Sequence, residues 1–277
     1  MNSVNSIFLS KKETRMSFVK GHITRLVLGF VVLSLAFISL SAAFQKQANK
    51  SASAQDTDIP TPIQEGVMGE KQKKHSKIYK GTNWYTRGKK IKDLISEQGD
   101  VEIEAPILDS ILRPTPPLDE FLRKQTCDAD AVVLGAVKDK TSQLIESGTF
   151  IFTDYVVTVQ EVLKDNSAAP IQQGGEITVT RLGGAVKLNG HIARATDPSM
   201  GPLKVGETYL LYLKFLPETG AYRPLGGGSL SEDTFLIRGE KVSQASRKLW
   251  PFGQRASGDA APFLSEAHNA INGQCMK

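Results

Sequence analysis

Short apolar segments separated by turn residues fill the chain from Ala131 onward, and this pattern restricts the possible folds more than any other feature. The segments cover residues 131–137, 150–163, 175–182, 185–188, 207–215, 221–225 and 234–237. Asn189-Gly190 joins two of them and is typical of a tight hairpin turn. Strands at such regular spacing are typical of an all-β sandwich or barrel. We therefore predict a mainly β domain of roughly five to seven strands.

Helical patterns flank the predicted strands on both sides. Residues 117–124 suit a short helix, with acidic residues near its N-terminal end, where negative charge is favoured. Residues 260–273 predict a C-terminal helix, because Phe263, Ala267 and Ile271 recur at a spacing of four and share one side. The expected fold is thus a β domain with one helix before it and one after it.

An uncharged, apolar stretch from Leu26 to Gln45 follows five basic residues. Together with the small residues Ser41-Ala42-Ala43, these are the parts of a secretory signal peptide, and we expect cleavage after Ala43. The alternative is an uncleaved anchor, since about 20 apolar residues span a bilayer. Both interpretations predict an exported protein, which is periplasmic, extracellular or anchored to the inner membrane by residues 26–45. Translation from Met16 gives the basic segment a normal length, and Met1 stays open as the alternative start.

The net charge of +5, taken alone, suggests a nucleic-acid partner, but the charge is unevenly distributed along the chain. Residues 1–43 hold five lysines and arginines and one acidic residue, and residues 66–92 hold nine against one. Residues 93–277 hold 18 basic and 24 acidic residues. The predicted β domain is therefore mildly acidic, which argues against nucleic acid as its partner.

The segment between the leader and the β domain is basic, and residues 51–92 are poor in aliphatic side chains. Such a segment buries little apolar surface, so we predict a disordered basic linker. The alternative is that its basic and aromatic residues contact an anionic envelope component. The residues of this envelope-contact cluster are Lys71, Lys73, Lys74, Lys77, Trp84, Arg87, Lys89 and Lys90. The predicted organisation is a signal peptide or anchor (1–43), a disordered basic, proline-containing linker (44–117), the β domain (118–245) and a C-terminal extension (246–277).

Five stretches of the β domain resemble a type of exported bacterial domain. They are Cys127–Val137, Val159–Lys164, Gly183-Gly184, Val205–Leu213 and Gly226–Gly228. This type is similar in pattern to the netrin and tissue-inhibitor-of-metalloproteinases β-barrel, which has an OB-like fold. The resemblance covers residues 118–245. It implies a small OB-like or netrin-like barrel whose mouth loops form the binding surface.

The chain departs from the inhibitor family at the residues that bind metal. Those inhibitors present an N-terminal Cys-x-Cys whose amine and carbonyl chelate the metal. Here Cys127 lies deep inside the chain, and no cysteine stands two residues away. The resemblance therefore does not imply metalloprotease inhibition. The acidic charge of the domain also argues against the oligonucleotide binding of OB folds.

The two cysteines of the chain, Cys127 and Cys275, are predicted to form a disulfide bond. An even number of cysteines in an exported protein favours pairing, because its compartment is oxidising. The bond would connect the start of the first strand with the C-terminal helix. The alternative is two free thiols, one buried and one in the C-terminal tail.

The sequence shows no motif typical of a hydrolase or a metal site. It lacks Gly-x-Ser-x-Gly, His-Glu-x-x-His and Cys-x-x-Cys, and its four histidines are scattered. We therefore predict no catalytic residue, no metal and no cofactor.

Basic residues near the two glycine-containing turns form a second candidate site. These residues are Arg181, Lys187, His191 and Arg194. If the Gly183-Gly184 and Asn189-Gly190 turns share one rim of the barrel, they form a small positive patch for an anionic partner. The alternative is that they are scattered solubilising charges.

The features together favour an exported, non-catalytic binding or interaction domain whose ligand is an unknown protein or envelope component. Two alternatives stay open: an exported hydrolase-type enzyme with no recognisable motif, and an envelope-associated structural protein that binds through residues 66–92. Contact with a membrane is expected only through the N-terminal segment, if that segment is not cleaved.

Overall fold

The computed structural model describes the protein at residues 59–63, 68–80, 86–104, 117–196, 201–225, 234–244 and 258–273. All of these belong to one compact unit that spans residues 56–277. The predicted signal peptide or anchor, residues 1–43, lies outside the described residues, as do Trp84 and Cys275. No helix in the described part of the chain is long and apolar enough to cross a membrane.

Twelve strands and four helices make up the described residues. The strands are β1 (Thr61–Pro62), β2 (Val101–Glu104), β3 (Ala131–Leu144), β4 (Ile151–Lys164), β5 (Glu176–Leu182), β6 (Gly184–Leu188), β7 (His191–Thr196), β8 (Thr208–Leu216), β9 (Ala221–Pro224), β10 (Thr234–Arg238), β11 (Lys241–Gln244) and β12 (Gly258–Asp259). The helices are α1 (Glu70–Ile78), α2 (Ile91–Gln98), α3 (Leu118–Asp128) and α4 (Ala260–Asn272). The predicted mainly β fold with a C-terminal helix is confirmed. The predicted strand number was too low, because several strands are too short to show alternation in the sequence.

The larger of two sheets has eight strands in the order β12-β11-β10-β8-β3-β4-β5-β9. β9 pairs in parallel with β5 and antiparallel with β8, so β8, β3, β4, β5 and β9 form a closed set of pairings. One hydrophobic cluster draws side chains from all five strands. Its members include Val133, Val157, Val179, Leu211 and Tyr222. The alternation predicted from the sequence therefore points one face of each strand into a common core.

β3 and β4 are the longest strands, and they pair with each other along a ladder that contains three register shifts. One shift falls between Leu134 and Gly135. A Cβ atom at Gly135 would meet the side chain of Val157 and the backbone oxygen of Thr158. Glycine is thus required at this register shift, as is common at a β-bulge.

The smaller sheet has the strand order β1-β6-β7-β2. β6 and β7 form the hairpin predicted from Asn189-Gly190, and both turn residues have positive φ angles, 52° and 86°. Gly184 begins β6 with φ at 130°, and a Cβ atom there would meet the hydroxyls of Ser142 and Thr153. This close approach packs the smaller sheet against the end of the β3–β4 hairpin.

The structure corrects the prediction of a disordered linker over residues 44–117. α1, α2, β1 and β2 all lie in that range. Their buried apolar side chains join the hydrophobic cluster around Phe150 and Phe152; they are Tyr79, Ile91, Ile95, Val101 and Ile103. The apolar residues of α2 are one helical turn apart, and those of β2 alternate. α2 and β2 therefore each have a narrow apolar stripe, which their charged residues conceal in the composition.

α3 and α4 pack together beside the larger sheet. Phe263 and Ala267 of α4 are buried in one cluster with Leu122 of α3, and Ile271 packs at its edge. The side of α4 predicted from the spacing of four is therefore the side that faces the core. α3 ends at Asp128, four residues beyond the end predicted for this helix.

Candidate functional site

α1 lies on the face of β4 and β5 that is opposite to their shared apolar cluster. Side-chain hydrogen bonds join the helix to these strands: Lys71 Nζ to Thr178 Oγ1 at 2.9 Å, His75 Nδ1 to Asp154 Oδ2 at 2.6 Å, and Tyr79 OH to Thr180 Oγ1 at 3.2 Å. The three helix residues are spaced by four, so they form one stripe along α1. Asp154 and Thr180 are direct cross-strand partners. Two successive turns of α1 are thus held at one point on the sheet.

The His75–Asp154 pair at the centre of this contact is closed to solvent. The His75 side chain is fully buried, and the Asp154 side chain is 7% exposed. His75 Nε2 and Asp154 Oδ1 are also buried, and neither has a hydrogen-bond partner among the described residues. Because a substrate cannot reach either group, we interpret the pair as an anchor for α1 rather than as an acid–base pair.

The tip of the β3–β4 hairpin connects α1 with the start of α2. Ser76 Oγ of α1 accepts a hydrogen bond from the backbone N–H of Glu146, at 2.5 Å. The backbone N–H of Ile91, the first residue of α2, donates to the oxygen of Gly148 at 2.8 Å. Both helices are therefore fixed to the same turn.

The exposed cations of this region form what we call the basic surface. It consists of Lys73, Lys74, Lys77, Lys80, Arg87, Lys89 and Lys90, all of them exposed. Lys73 pairs with Glu70 at 2.7 Å, and Lys89 pairs with Glu97 at 2.9 Å. The other five have no ion pair in the described part of the chain. The surface therefore carries a local excess of positive charge.

The titration of Glu70 reflects this positive charge. The hydrogen bond and the charge of Lys73 lower the pKa of the Glu70 carboxyl, and Lys74 and Lys77 lower it further. Glu70 in turn raises the pKa of Lys73. The lysines of α1 are thus close enough to act together on one anionic group.

The structure places the residues of the predicted envelope-contact cluster on two neighbouring segments of the chain. Apart from Trp84, which lies outside the described residues, its members lie on α1 or on the segment that leads into α2. Lys71 differs from the others, because its ammonium group is hydrogen-bonded to Thr178. Lys80 was missed by the prediction, although it directly follows α1 and is exposed.

The sequence analysis also missed His75, Tyr79 and Asp154, which hold the basic helix in place. A spacing of four between Lys71, His75 and Tyr79 was the available signal on the helix side. Asp154 gave no such signal, because its partner is 79 residues away in the sequence.

The four residues of the predicted anionic-partner patch do not form one exposed site. Arg181 on β5 is only 4% exposed. His191 contacts Asp100 at 3.4 Å, and Arg194 stands beside Glu102 in the register of β7 and β2. Lys187 is exposed on β6. Burial of one member and acidic neighbours for two others remove the positive patch expected from the sequence.

Cys127 lies in the last turn of α3, and no free thiol occurs among the described residues. Cys275, its predicted partner, lies outside them, so the disulfide stays a prediction. The packing of α3 against α4 brings the helix of Cys127 next to the helix that ends at Asn272, three residues before Cys275.

The described residues contain no group of three or more His, Cys, Asp or Glu side chains that could hold a metal ion. Comparison of the chain with protein-family models finds no match, and comparison with curated proteins finds none either.

Proposed function

We propose that the protein is an exported, non-catalytic binding domain whose basic surface contacts an anionic component of the cell envelope. The observation that carries this proposal is the basic surface, where five exposed cations have no ion pair among the described residues. When exposed cations of this kind neutralise an anionic polymer, the polymer releases its condensed counterions, which gives affinity without a deep pocket. Export rests on the apolar leader, residues 26–45, and its basic flank.

The closed set of strand pairings supports an OB-like barrel as the scaffold of this domain. Taken in chain order, the five strands are β3, β4, β5, β8 and β9. β3 pairs with β4 and with β8, and β5 pairs in parallel with β9. This connectivity is what a five-stranded Greek-key barrel of the OB type requires.

The position of α1 on that scaffold favours the helix as the binding element. OB modules bind their ligands across the face of their second and third strands. Here these strands are β4 and β5, and α1 covers part of their outer face through His75 and Tyr79. A ligand that approaches this side would therefore meet the lysines of α1 first.

The test is binding of the purified protein to an isolated envelope fraction and to long-chain polyphosphate, at low and high salt. We expect wild-type binding to fall as salt increases. Lys74→Gln/Lys77→Gln/Lys90→Gln should weaken binding by roughly tenfold or more, since each lysine near an anionic surface contributes to the attraction.

A matched control separates the basic surface from net charge. Lys124→Gln/Lys187→Gln/Lys241→Gln removes the same charge from exposed positions on α3, β6 and β11. We expect this variant to bind as the wild type does. Equal losses in both variants, or no binding by the wild type to either probe, would show that the basic surface is not a specific binding site.

A further inference from the structure

Arg181 is a buried residue of β5, one residue before the end of this strand. It faces Thr153 across the β4–β5 ladder and is 4% exposed. Val179, two residues earlier on the same face of β5, belongs to the apolar cluster shared by the five strands. The side chain of Arg181 therefore leaves β5 on the side of the sheet that faces this cluster.

Arg181 forms no ion pair in the described part of the chain. Its Nη1 atom is buried and has no hydrogen-bond partner. Asp154 is the one carboxylate that is buried among the described residues, and its ion pair is with His75. The guanidinium group stays protonated in proteins, so burial cannot make it neutral. A buried charge without a partner strongly destabilises the folded state, so we expect an anion beside this guanidinium group.

The hydroxyl of Tyr209 provides a second buried donor, because Tyr209 is 1% exposed and belongs to the same apolar cluster as Val179. Burial raises the pKa of Tyr209 to about 12, and the positive charge of Arg181 partly lowers the pKa of the same hydroxyl. The Tyr209 oxygen accepts a hydrogen bond from the backbone N–H of Lys204 at 2.9 Å. Because this oxygen acts as an acceptor there, its own proton is available for another acceptor.

We propose that Arg181 is the anchor of an internal site for one small anion, bound by Nη1, with the buried Tyr209 hydroxyl of the same cluster as a second donor. Both groups are donors, which matches a halide or a small carboxylate and excludes a cation. The burial of Arg181 limits the ligand to a small size. The site is separate from the basic surface, so either can exist without the other.

The direct test is a crystal structure of the full chain grown in bromide, whose anomalous signal locates the ion. We expect a bromide ion at hydrogen-bond distance from Arg181 Nη1. A carboxylate of the chain itself at that position would overturn the proposal, and so would a site with no anion.

Thermal unfolding gives an independent measurement. At constant ionic strength, replacing a bulky organic sulfonate with bromide should raise the wild-type midpoint, and Arg181→Met should abolish this shift. The control Arg194→Met, which removes a cation from β7, should keep it, and so should Lys74→Gln/Lys77→Gln/Lys90→Gln. A shift that persists in Arg181→Met contradicts the proposal. If Arg181→Met does not fold, the crystal structure decides.

Discussion

Asp154 illustrates how a single residue ties the N-terminal helix to the sheet. Its carboxylate is almost closed to water and contacts a fully buried histidine. The two buried groups depend on each other, because removing one partner leaves the other buried without its hydrogen bond. We therefore expect this pair to matter more for stability than any exposed ion pair of the chain.

Asp154→Ala should lower the free energy of unfolding by about 3 kcal/mol, measured by urea denaturation, because His75 then loses its buried partner. The matched control is Asp100→Ala, which removes the carboxylate from an exposed aspartate–histidine pair. We expect a clearly smaller loss in that variant, because Asp100 is exposed, although its Oδ1 also accepts a hydrogen bond from the backbone N–H of Ile192. Similar effects of the two substitutions would show that His75 and Asp154 do not anchor α1.

At the scale of the element, β8 combines apolar packing with buried hydroxyls. Burial raises the pKa of both Tyr209 and Tyr212 on this strand, and that of Tyr79, which directly follows α1. The pKa of Tyr209 reaches about 12. An unfolded tyrosine has a pKa of about 10. The folded state therefore keeps its tyrosine protons at a pH where the unfolded state loses them.

This difference predicts a loss of stability at high pH. Below pH about 10 the tyrosines are protonated in both states, and their full contribution is present. Between about 10 and 12 only the unfolded state ionises, so the free energy of unfolding should fall as the pH rises. Urea denaturation across this range measures the fall. Tyr209→Phe should make it less steep, and an unchanged slope would contradict the proposed burial of this hydroxyl.

The elements also show where sequence reasoning worked. The apolar alternation of β4, β5 and β8 was visible because one face of each strand enters the shared core. The second half of β3 was missed, because Lys138, Asp139 and Lys140 interrupt its apolar pattern. Those residues form part of a strand because they lie in the segment that pairs with β4. A pairing with another segment of the chain cannot be read from local composition.

The helices of the N-terminal region were missed for a related reason. α1 is rich in lysine, and its inward side carries the polar residues His75 and Ser76 rather than an apolar stripe. Its partners on the sheet are polar as well. The lysines could be identified from the sequence as a candidate contact, but their arrangement around the hairpin tip depends on these long-range hydrogen bonds.

At the scale of the whole molecule, the N-terminal basic segment is part of the folded unit. The sequence separates a basic stretch, residues 66–92, from a mildly acidic remainder, residues 93–277. The structure packs the basic stretch against the acidic remainder through α1 and the segment that leads into α2. The protein thus has opposite charges on different parts of one body, which favours an oriented approach to an anionic partner.

Hydrogen–deuterium exchange of the amides in residues 70–80, measured by mass spectrometry on the full chain, tests this account most directly. If α1 is docked, its amides should exchange far more slowly than in an unstructured peptide, and Asp154→Ala should accelerate their exchange while β4 and β5 stay protected. Exchange at the rate of an unstructured peptide in the wild type would contradict the account, because the basic segment would then be a free linker.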